Sequence, residues 1–369
     1  MYRSFYLAAA LLLSQTAPIF AQEIVLGQSV ALTGAAQELG KEMVVGAKTY
    51  FDLVNAAGGI RGKKIVLRTL DDGYEPPRAE ANTQKFVDDG DVLALFGYVG
   101  TPTSAASIPV ASKAKIPFFG AFTGAELLRT PMNRYVFNVR ASYFDETEAI
   151  VRQMTQGGVT RIAVFHQNDS YGQAGLAGVE RALTKRKLEV VAKATVERNS
   201  TDVAAAVATM LAAKPEVIVM VSAYSSCAEF IKQVKAKDLP TRFVNVSFVG
   251  TKPLAKALGA NADGVMISQV MPPPTANKFP VVVEYQKALK AAGVADFSYT
   301  SLEGYIAAKV FVEALRRGGD ASRDALIKSL ESLRNVDIGG FNVSFGPDNH
   351  NASTFVELTV LNKKGEVRY

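Results

Sequence analysis

Two neighbouring segments of the chain place hydroxyl side chains directly after an apolar run that breaks at glycine. The first is Val92-Leu-Ala-Leu-Phe-Gly-Tyr-Val-Gly-Thr-Pro-Thr-Ser104, and the second is Ile116-Pro-Phe-Phe-Gly-Ala-Phe-Thr-Gly-Ala-Glu126. In an α/β sheet this pattern marks the carboxyl end of a strand, where ligands usually bind. Small residues let a ligand approach the backbone, hydroxyls donate hydrogen bonds, and free N–H groups at a helix N-terminus attract anions. The two turns therefore favour a carboxylate cradle over a catalytic centre.

Residues that could carry catalysis or hold a metal are few. The chain has two histidines, His166 and His350, and one cysteine, Cys227. His166 ends a strand without a visible nucleophile partner, so we interpret it as a hydrogen-bonding residue. We expect His350, in a polar loop, to be exposed, and Cys227 to be buried. Zinc-like ligand sets, nucleophile elbows and dinucleotide fingerprints do not occur, so the sequence predicts no cofactor and no metal. The acidic pairs Asp71-Asp72 and Asp145-Glu146 are interpreted as turn caps and helix N-terminal charges.

The elements that must position the two turns alternate between strand and helix. Residues 40–57 carry apolar side chains at helical spacing, whereas Val217-Ile-Val-Met-Val221 is apolar on both faces, as in a parallel sheet covered by helices. The pattern gives two βα series, each near the usual domain size. Two helices, at about 279–292 and 301–317, are expected to return to the first series, and a strand at 355–361 to join the second.

The predicted fold is α/β, with two doubly wound parallel-sheet lobes joined by a three-segment hinge. We expect the N-terminal lobe to comprise residues 22–142 and 273–345, and the C-terminal lobe residues 143–272 and 346–369. Three crossings between the lobes form the hinge and leave a cleft between them.

The N-terminus is typical of an exported protein. Arg3 precedes an apolar run of about ten residues, and small residues lead to Ala21-Gln22. We predict a signal peptide, residues 1–21, and find no later apolar run long enough to span a bilayer. The formal net charge of +6 is scattered along the chain, which favours a solvated surface over nucleic-acid binding.

Four motifs in combination resemble one family. Leu32-Thr-Gly-Ala35, Asn55-Ala-Ala-Gly-Gly-Ile-Arg-Gly-Lys63, the turn at 97–104 and Asp169-Ser-Tyr-Gly172 are similar to motifs of periplasmic solute-binding proteins of branched-chain amino acid ABC transporters. The resemblance covers essentially the whole mature chain, in order. It implies a type I periplasmic binding fold that closes by a hinge on a ligand in the interlobe cleft.

The resemblance also assigns residues to that cleft. The first-lobe turns are expected to bind the ligand carboxylate through hydroxyls and backbone N–H groups. Two tyrosines of the second lobe are expected to close over the ligand, and a third stands at the lobe crossover. The ligand-binding residues implied in this way are Thr101, Ala121, Phe122, Thr123, Tyr143, Tyr171, Tyr224, Ser247 and Leu39.

Two of these positions depart from the family pattern. Amino-acid binders have an acidic residue where this chain has Ser247, and that acid neutralises the ligand ammonium, which is costly to bury unpaired. A position that is often aromatic is Leu39 here. A ligand without an α-amino group, such as an aromatic or aliphatic carboxylate, is therefore a candidate as well as a branched-chain or other amino acid. An acid from elsewhere, such as Glu303, is an alternative partner for an ammonium group.

These observations lead to an expected function and two alternatives. We expect a monomeric periplasmic protein that captures a small carboxylate-bearing solute and presents it to an inner-membrane ABC permease, with no bond made or broken. One alternative is a soluble ligand-sensing receptor coupled to a membrane sensor, which the sequence does not separate from a transport protein. The other is a secreted enzyme that uses His166.

Overall fold

The computed structural model describes residues 23–368, so the predicted signal peptide lies outside the described residues. Up to the first crossing, the elements are β1 (Ile24–Val30), α1 (Gln37–Ala56), β2 (Ile65–Asp71), α2 (Pro76–Asp89), β3 (Val92–Phe96), α3 (Thr101–Lys113), β4 (Phe118–Phe119) and β5 (Val136–Phe137). The five strands form one parallel sheet in the order β2-β1-β3-β4-β5. We call this sheet and the helices that cover it the first lobe.

The second series follows the same strand-and-helix alternation. Its elements are α4 (Tyr143–Gln156), β6 (Ile162–Gln167), α5 (Ser170–Thr184), β7 (Val190–Val196), α6 (Ala204–Ala213), β8 (Val217–Val221), α7 (Tyr224–Lys235), β9 (Arg242–Asn245), α8 (Thr251–Leu258) and β10 (Met266–Gln269). All five residues of β8 are buried, as its apolar sequence predicts for a strand covered on both faces. We call the sheet built on these strands, with α4–α8, the second lobe.

The remaining chain returns to both sheets. Its elements are α9 (Pro280–Ala291), α10 (Tyr299–Arg317), α11 (Arg323–Glu331), β11 (Val336–Asp337), β12 (Asn342–Val343), β13 (Glu357–Leu361) and β14 (Val367–Arg368). The strand predicted at 355–361 corresponds to β13. It joins the second sheet, whose order is β14-β13-β10-β9-β8-β6-β7. It pairs antiparallel with β10, so this sheet is mixed rather than wholly parallel. The sequence pattern did not predict helix α11, the small β11–β12 hairpin or strand β14.

Helix α10 is fixed to the first lobe through two glycines. A Cβ on Gly46 of α1 would lie 1.8 Å from the Ser301 carbonyl oxygen, and one on Gly304 of α10 would lie 2.5 Å from the Met43 carbonyl oxygen. The two helices therefore touch backbone to backbone, which only glycine allows at these positions. Glu303 lies between these contact residues in α10, so its backbone position relative to the first sheet is set by this packing.

Two of the crossing segments pair with each other at the hinge. The N–H of Asn138 donates to the His350 carbonyl over 2.8 Å, and the N–H of Ala352 donates to the Asn138 carbonyl over 2.9 Å. The prediction that His350 is exposed is wrong, because its ring is buried and stacks on Phe137 at 3.8 Å between ring centroids. The lobe limits at 142/143, 272/273 and 345/346 stay a prediction. Among residues 23–368, no helix is long and apolar enough to cross a membrane.

Candidate functional site

The structure brings the two glycine-broken turns together at the carboxyl edge of the first sheet. Beyond the paired ends of β3 and β4, the N–H of Gly100 donates to the Phe122 carbonyl over 3.2 Å. The hydroxyl oxygens of Thr101 and Thr123 lie 2.6 Å apart, and both side chains are completely buried. Gly100 has a φ of +105°, and a Cβ there would lie 2.3 Å from the ring of Tyr74. Glycine is therefore required for Tyr74 to cover this turn.

Tyr143 adds a third hydroxyl to this pair. Its N–H donates to the Gly124 carbonyl over 2.7 Å, an approach that leaves no room for a Cβ on Gly124. Its phenolic oxygen lies 3.4 Å from the Thr123 hydroxyl. Burial raises the pKa of Tyr143 to about 12, against the opposing effect of Arg140. The phenol is therefore a neutral donor at physiological pH, like the two threonines.

Backbone N–H groups contribute less to this cradle than the sequence suggests. The N–H of Thr123 donates to the Ala121 carbonyl over 2.9 Å, and the N–H of Phe122 donates to the Tyr98 carbonyl over 2.7 Å. Both groups are thus already hydrogen-bonded within the first lobe. The Thr101 and Thr123 hydroxyls are hydrogen-bonded to each other, so a ligand oxygen would replace that hydrogen bond.

An aromatic wall from the second lobe faces the hydroxyls. Tyr171 lies in the first turn of α5, where the Asp169 carboxylate accepts its N–H over 3.0 Å. Its ring is fully buried, 4.6 Å from Phe248 and 5.5 Å from Tyr143 between centroids. Among the described residues, its hydroxyl has no hydrogen-bond partner. A buried donor of this kind requires an acceptor from a ligand or a water molecule.

Phe248 of the second lobe packs against aromatic rings of the first lobe. Its ring lies 5.3 Å from Phe122 and 6.0 Å from Tyr74, both in the first lobe. The Tyr74 hydroxyl also accepts a hydrogen bond from Gln167 Nε2 across the lobes over 3.3 Å. The interlobe region is therefore lined by aromatic rings on both sides, with hydroxyls at one end.

A buried charged cluster stands next to these rings. Arg140 follows β5, is completely buried, and donates through Nη2 to the Ser247 hydroxyl. Carboxylate oxygens of Glu146 and Glu303 lie 3.6 Å from Arg140 Nη2 and Nε, respectively. Glu146 also accepts hydrogen bonds from the Ser247 N–H and hydroxyl, at 2.8 and 2.9 Å, and from the Ser268 hydroxyl at 2.5 Å. We call Arg140, Glu146, Glu303 and Ser247 the inner cluster.

The surroundings of the inner cluster stabilise the charged form of Arg140 but not that of Glu303. Burial opposes the charged form of Arg140, but Glu303 and Glu146 outweigh that effect and raise the pKa of its guanidinium. Burial also raises the pKa of Glu303 to about 7, although Arg140 opposes the shift. The Arg140 carbon Cζ lies 4.7 Å above the Phe122 ring, a cation–π contact. Among the described residues, Arg140 Nε and Nη1 have no hydrogen-bond acceptor.

Leu39 and Tyr224 lie in a different part of the interlobe region. Leu39 is fully buried, and a Cβ on Gly250 of the second lobe would lie 2.4 Å from its Cδ2. Tyr224 is partly buried and lines an open pocket of about 650 Å³ together with Glu42 and Lys252. The structure thus groups the other predicted residues around Thr123 and Arg140. It places Tyr224 at an open pocket and Leu39 in the buried contact with Gly250.

Two sets of ion pairs bridge the lobes near solvent. Arg198 Nη2 lies 3.0 Å from Glu75 Oε2, and Asn199 Nδ2 donates to Glu75 Oε1 over 2.7 Å. Lys252 Nζ lies 3.3 Å from Glu42 Oε1 and 2.5 Å from Asp296 Oδ2. We call these the outer pairs.

The candidates for catalysis and metal binding have structural roles. His166 is buried with Nδ1 3.0 Å from the Gln167 carbonyl oxygen, and burial lowers its pKa. Cys227 is buried as predicted, and burial raises the pKa of its thiol. Within residues 23–368, no group of three or more His, Cys, Asp or Glu side chains is arranged to hold a metal ion.

Comparison with known proteins decides the family. A family model described as periplasmic binding protein matches residues 23–366, which is nearly all of the described chain. The chain belongs to the periplasmic binding protein family. This periplasmic binding protein is 24% identical over 350 residues to Leu/Ile/Val-binding protein homolog 8 of Brucella abortus, covering 89% of this chain and 86% of that protein.

Two solved structures are more similar in sequence to this chain than that relative is. A protein from Rhodopirellula baltica described as a possible leucine/isoleucine/valine-binding protein matches with a TM-score of 0.92 and 36% identity, over 96% of this chain and 97% of that one. A substrate-binding periplasmic protein from Ralstonia solanacearum matches with a TM-score of 0.88 and 33% identity, over 94% and 99%. The predicted resemblance and fold are confirmed: this is a type I periplasmic binding protein of the branched-chain amino acid family, and a binding protein rather than an enzyme.

The sequence motifs of this periplasmic binding protein did not assign Arg140, Phe248 or Tyr74 to the site, and they gave Glu146 no buried partner. Asp145 and Glu146 both lie in the first turn of α4, as interpreted, and Asp145 forms a capping box with Ser142. The Glu146 side chain is also completely buried beside Arg140, which that interpretation did not include. Glu146 falls on the buried face of α4, one turn before Ile150. That helical spacing was the signal available in the sequence, since a carboxylate on an apolar face requires a buried partner.

Proposed function

We propose that this periplasmic binding protein captures a small carboxylate-bearing solute between its lobes and delivers it to an inner-membrane ABC permease. The observation that carries the proposal is the set of buried hydroxyls on Thr101, Thr123, Tyr143 and Tyr171. These groups are neutral donors, and a carboxylate is an acceptor with about four lone-pair sites. Hydrogen bonds from neutral donors to a charged acceptor are stronger than those between neutral groups.

The same geometry accounts for closure on the ligand. Thr101 and Thr123 belong to the first lobe and Tyr171 to the second, so one small molecule between them contacts both lobes. A ligand that makes these contacts only when the lobes are together shifts the population towards the closed form. The permease then distinguishes loaded from empty protein by the relative position of the lobes. We take the predicted limits at 142/143, 272/273 and 345/346 as the places where that rotation occurs.

The proposed location and assembly follow from the chain itself. The segment 1–21 has the pattern of a cleavable export signal, and the family is named for the periplasm. Three crossings give each protomer a complete cleft, so a monomer is sufficient for binding. The relatives whose names mention leucine, isoleucine and valine make aliphatic amino acids one group of compounds to test.

The experiment is a thermal unfolding screen of the mature protein with amino acids, their amides, and aliphatic and aromatic carboxylates. At about 100 times its Kd a ligand adds roughly 2.7 kcal/mol to the free energy of unfolding, which raises the Tm by several degrees for a protein of this size. The methyl ester of each active acid is the matched control and is expected to give no shift. If no carboxylate shifts the Tm, the proposal fails. Loss of uptake of the active compound on deletion of the gene tests the transport step.

A further inference from the structure

We infer that the ligand carries, beside its carboxylate, a second hydrogen-bond acceptor that is received by Arg140, and that this position does not take an ammonium group. Acceptors of this class are an oxo oxygen, a hydroxyl oxygen or a further carboxylate. The inference rests on the proposed function, because it concerns the other end of the same cleft.

Arg140 has more hydrogen-bond donors than its neighbours use. A guanidinium carries five N–H donors and no acceptor. Only Nη2 donates a hydrogen bond within residues 23–368, to the Ser247 hydroxyl. Nε makes no hydrogen bond but lies 3.6 Å from Glu303 Oε1, so among the described residues Nη1 is the nitrogen with neither a hydrogen bond nor an ion pair. The side chain is completely buried, so water does not serve these donors freely. A buried charged donor without an acceptor is costly, and a ligand oxygen removes that cost.

The donors of Arg140 lie next to the turn that carries Thr123. The guanidinium stacks on Phe122, whose neighbours along the chain are Ala121 and Thr123. A molecule held by the hydroxyls of Thr101 and Thr123 therefore lies beside the guanidinium. Ser247 shows that this end of the cleft is organised around donors, because its own hydroxyl accepts from Arg140 and donates to Glu146. A planar guanidinium fork matches oxygen acceptors and repels cations.

An ammonium group would need a carboxylate partner, and the two nearby acids, Glu146 and Glu303, already have partners. Glu146 is already bound by the Ser247 N–H, the Ser247 hydroxyl and the Ser268 hydroxyl. Glu303 remains, but its carboxylate oxygen lies 3.6 Å from Arg140 Nε. An ammonium bound to Glu303 would share a buried site with a second positive charge, which is unfavourable where water is excluded. An ammonium would therefore have to compete with Arg140 for Glu303.

The test compares ligands that share one side chain and differ only beside the carboxylate. On the mature protein, we would measure by calorimetry the Kd of leucine, 4-methyl-2-oxopentanoate and 4-methylpentanoate, and of phenylalanine, phenylpyruvate and 3-phenylpropanoate; malate and succinate represent hydroxyl and second-carboxylate acceptors. In the best-bound series, the oxo or hydroxy acid is expected to bind about tenfold or more tightly than the unsubstituted acid, and the amino acid most weakly. An amino acid that binds most tightly in that series overturns the inference. If no carboxylate binds at all, it is the proposed function that fails.

Two variants sharpen the result. Arg140→Lys keeps a positive charge between Glu146 and Glu303 but removes the planar fork, so the preference for the oxo or hydroxy acid over the unsubstituted acid is expected to disappear. Glu303→Gln keeps the shape but removes the remaining acid, and the oxo acid is expected to stay ahead of the amino acid. If instead wild-type protein prefers the amino acid and Glu303→Gln loses that preference, Glu303 is the ammonium partner and the inference is wrong. Should Arg140→Lys not fold, the ligand series and Glu303→Gln decide the question by themselves.

Discussion

The inner cluster and the outer pairs both join the lobes by charge, but their surroundings differ. The side chains of Arg140 and Glu146 are 0% exposed, whereas those of Arg198 and Glu75 are 25% and 39% exposed and that of Lys252 is 41% exposed. Exposed pairs contribute little and are screened by salt. A buried pair is costly to break, because removing one partner leaves the other charge without compensation. Loss of a charge from the inner cluster is therefore expected to cost more stability than loss of a charge from the outer pairs.

The largest expected effect comes from removing the buried cation. Arg140→Met leaves Glu146 and Glu303 without a counter-charge and should lower the free energy of unfolding by about 3–5 kcal/mol. Arg198→Met, in the outer pairs, is the matched control, and we expect a loss of about 1 kcal/mol or less. Urea unfolding measures both. Equal losses for the two variants would show that burial does not separate the two sets.

Removing one cradle hydroxyl should have the next largest effect, on binding rather than on stability. Thr123→Ala deletes a hydroxyl that lies 2.6 Å from that of Thr101, and it should weaken carboxylate binding by about 1–3 kcal/mol. Thr123→Ser keeps the hydroxyl and should bind almost like wild type. Calorimetry with the best ligand of the screen gives both values. An unchanged Kd for Thr123→Ala would remove this residue from the site.

The third prediction is a pH dependence that belongs to Glu303. Its pKa is raised from 4.5 to about 7 in the folded protein, so the folded state holds this proton more tightly than the unfolded state. The stability that this proton contributes is fully present below pH 4.5 and is lost as the pH rises through about 7. Relative to Glu303→Gln, wild-type protein should therefore become less stable over that window. A difference that stays constant from pH 4.5 to 7 would mean that Glu303 does not titrate there.

The smallest effect is expected at the outer pairs. Lys252→Ala removes contacts of 3.3 Å to Glu42 and 2.5 Å to Asp296, and it should weaken ligand binding by about 0.2–1 kcal/mol, by favouring the open form. Raising the ionic strength should reduce the difference from wild type, because Lys252 and Asp296 are exposed. Lys256→Ala, on the same helix α8, is the control. A loss that is insensitive to salt would speak against an electrostatic role.

The sequence predicted the lobes well because the signal for each element is local. Strands such as β8 are continuous apolar runs, and the turns carrying Thr101 and Thr123 follow such runs directly. The inner cluster could not be predicted in the same way. Arg140, Ser247 and Glu303 come from three elements far apart in the chain, and their approach depends on how the lobes meet.

The error at His350 has the same origin. The polar loop around it resembles exposed sequence, yet its Nδ1 lies 3.0 Å from the Val136 carbonyl oxygen and its ring is covered by Phe137. Hydropathy along the chain carries no information about which loop is covered by a crossing segment. In this molecule the polar residues that matter most are those that long-range packing buries.

The pairing of two crossing segments at Asn138 has a mechanical consequence. Because its N–H and carbonyl are bonded to His350 and Ala352, these two segments cannot slide past each other without breaking backbone hydrogen bonds. Under the proposed closure, a rotation that keeps both hydrogen bonds would have to pivot near Asn138. A fixed pivot of this kind would make the distance between Thr123 and Tyr171 in the closed form a limit on the length of molecule that contacts both lobes.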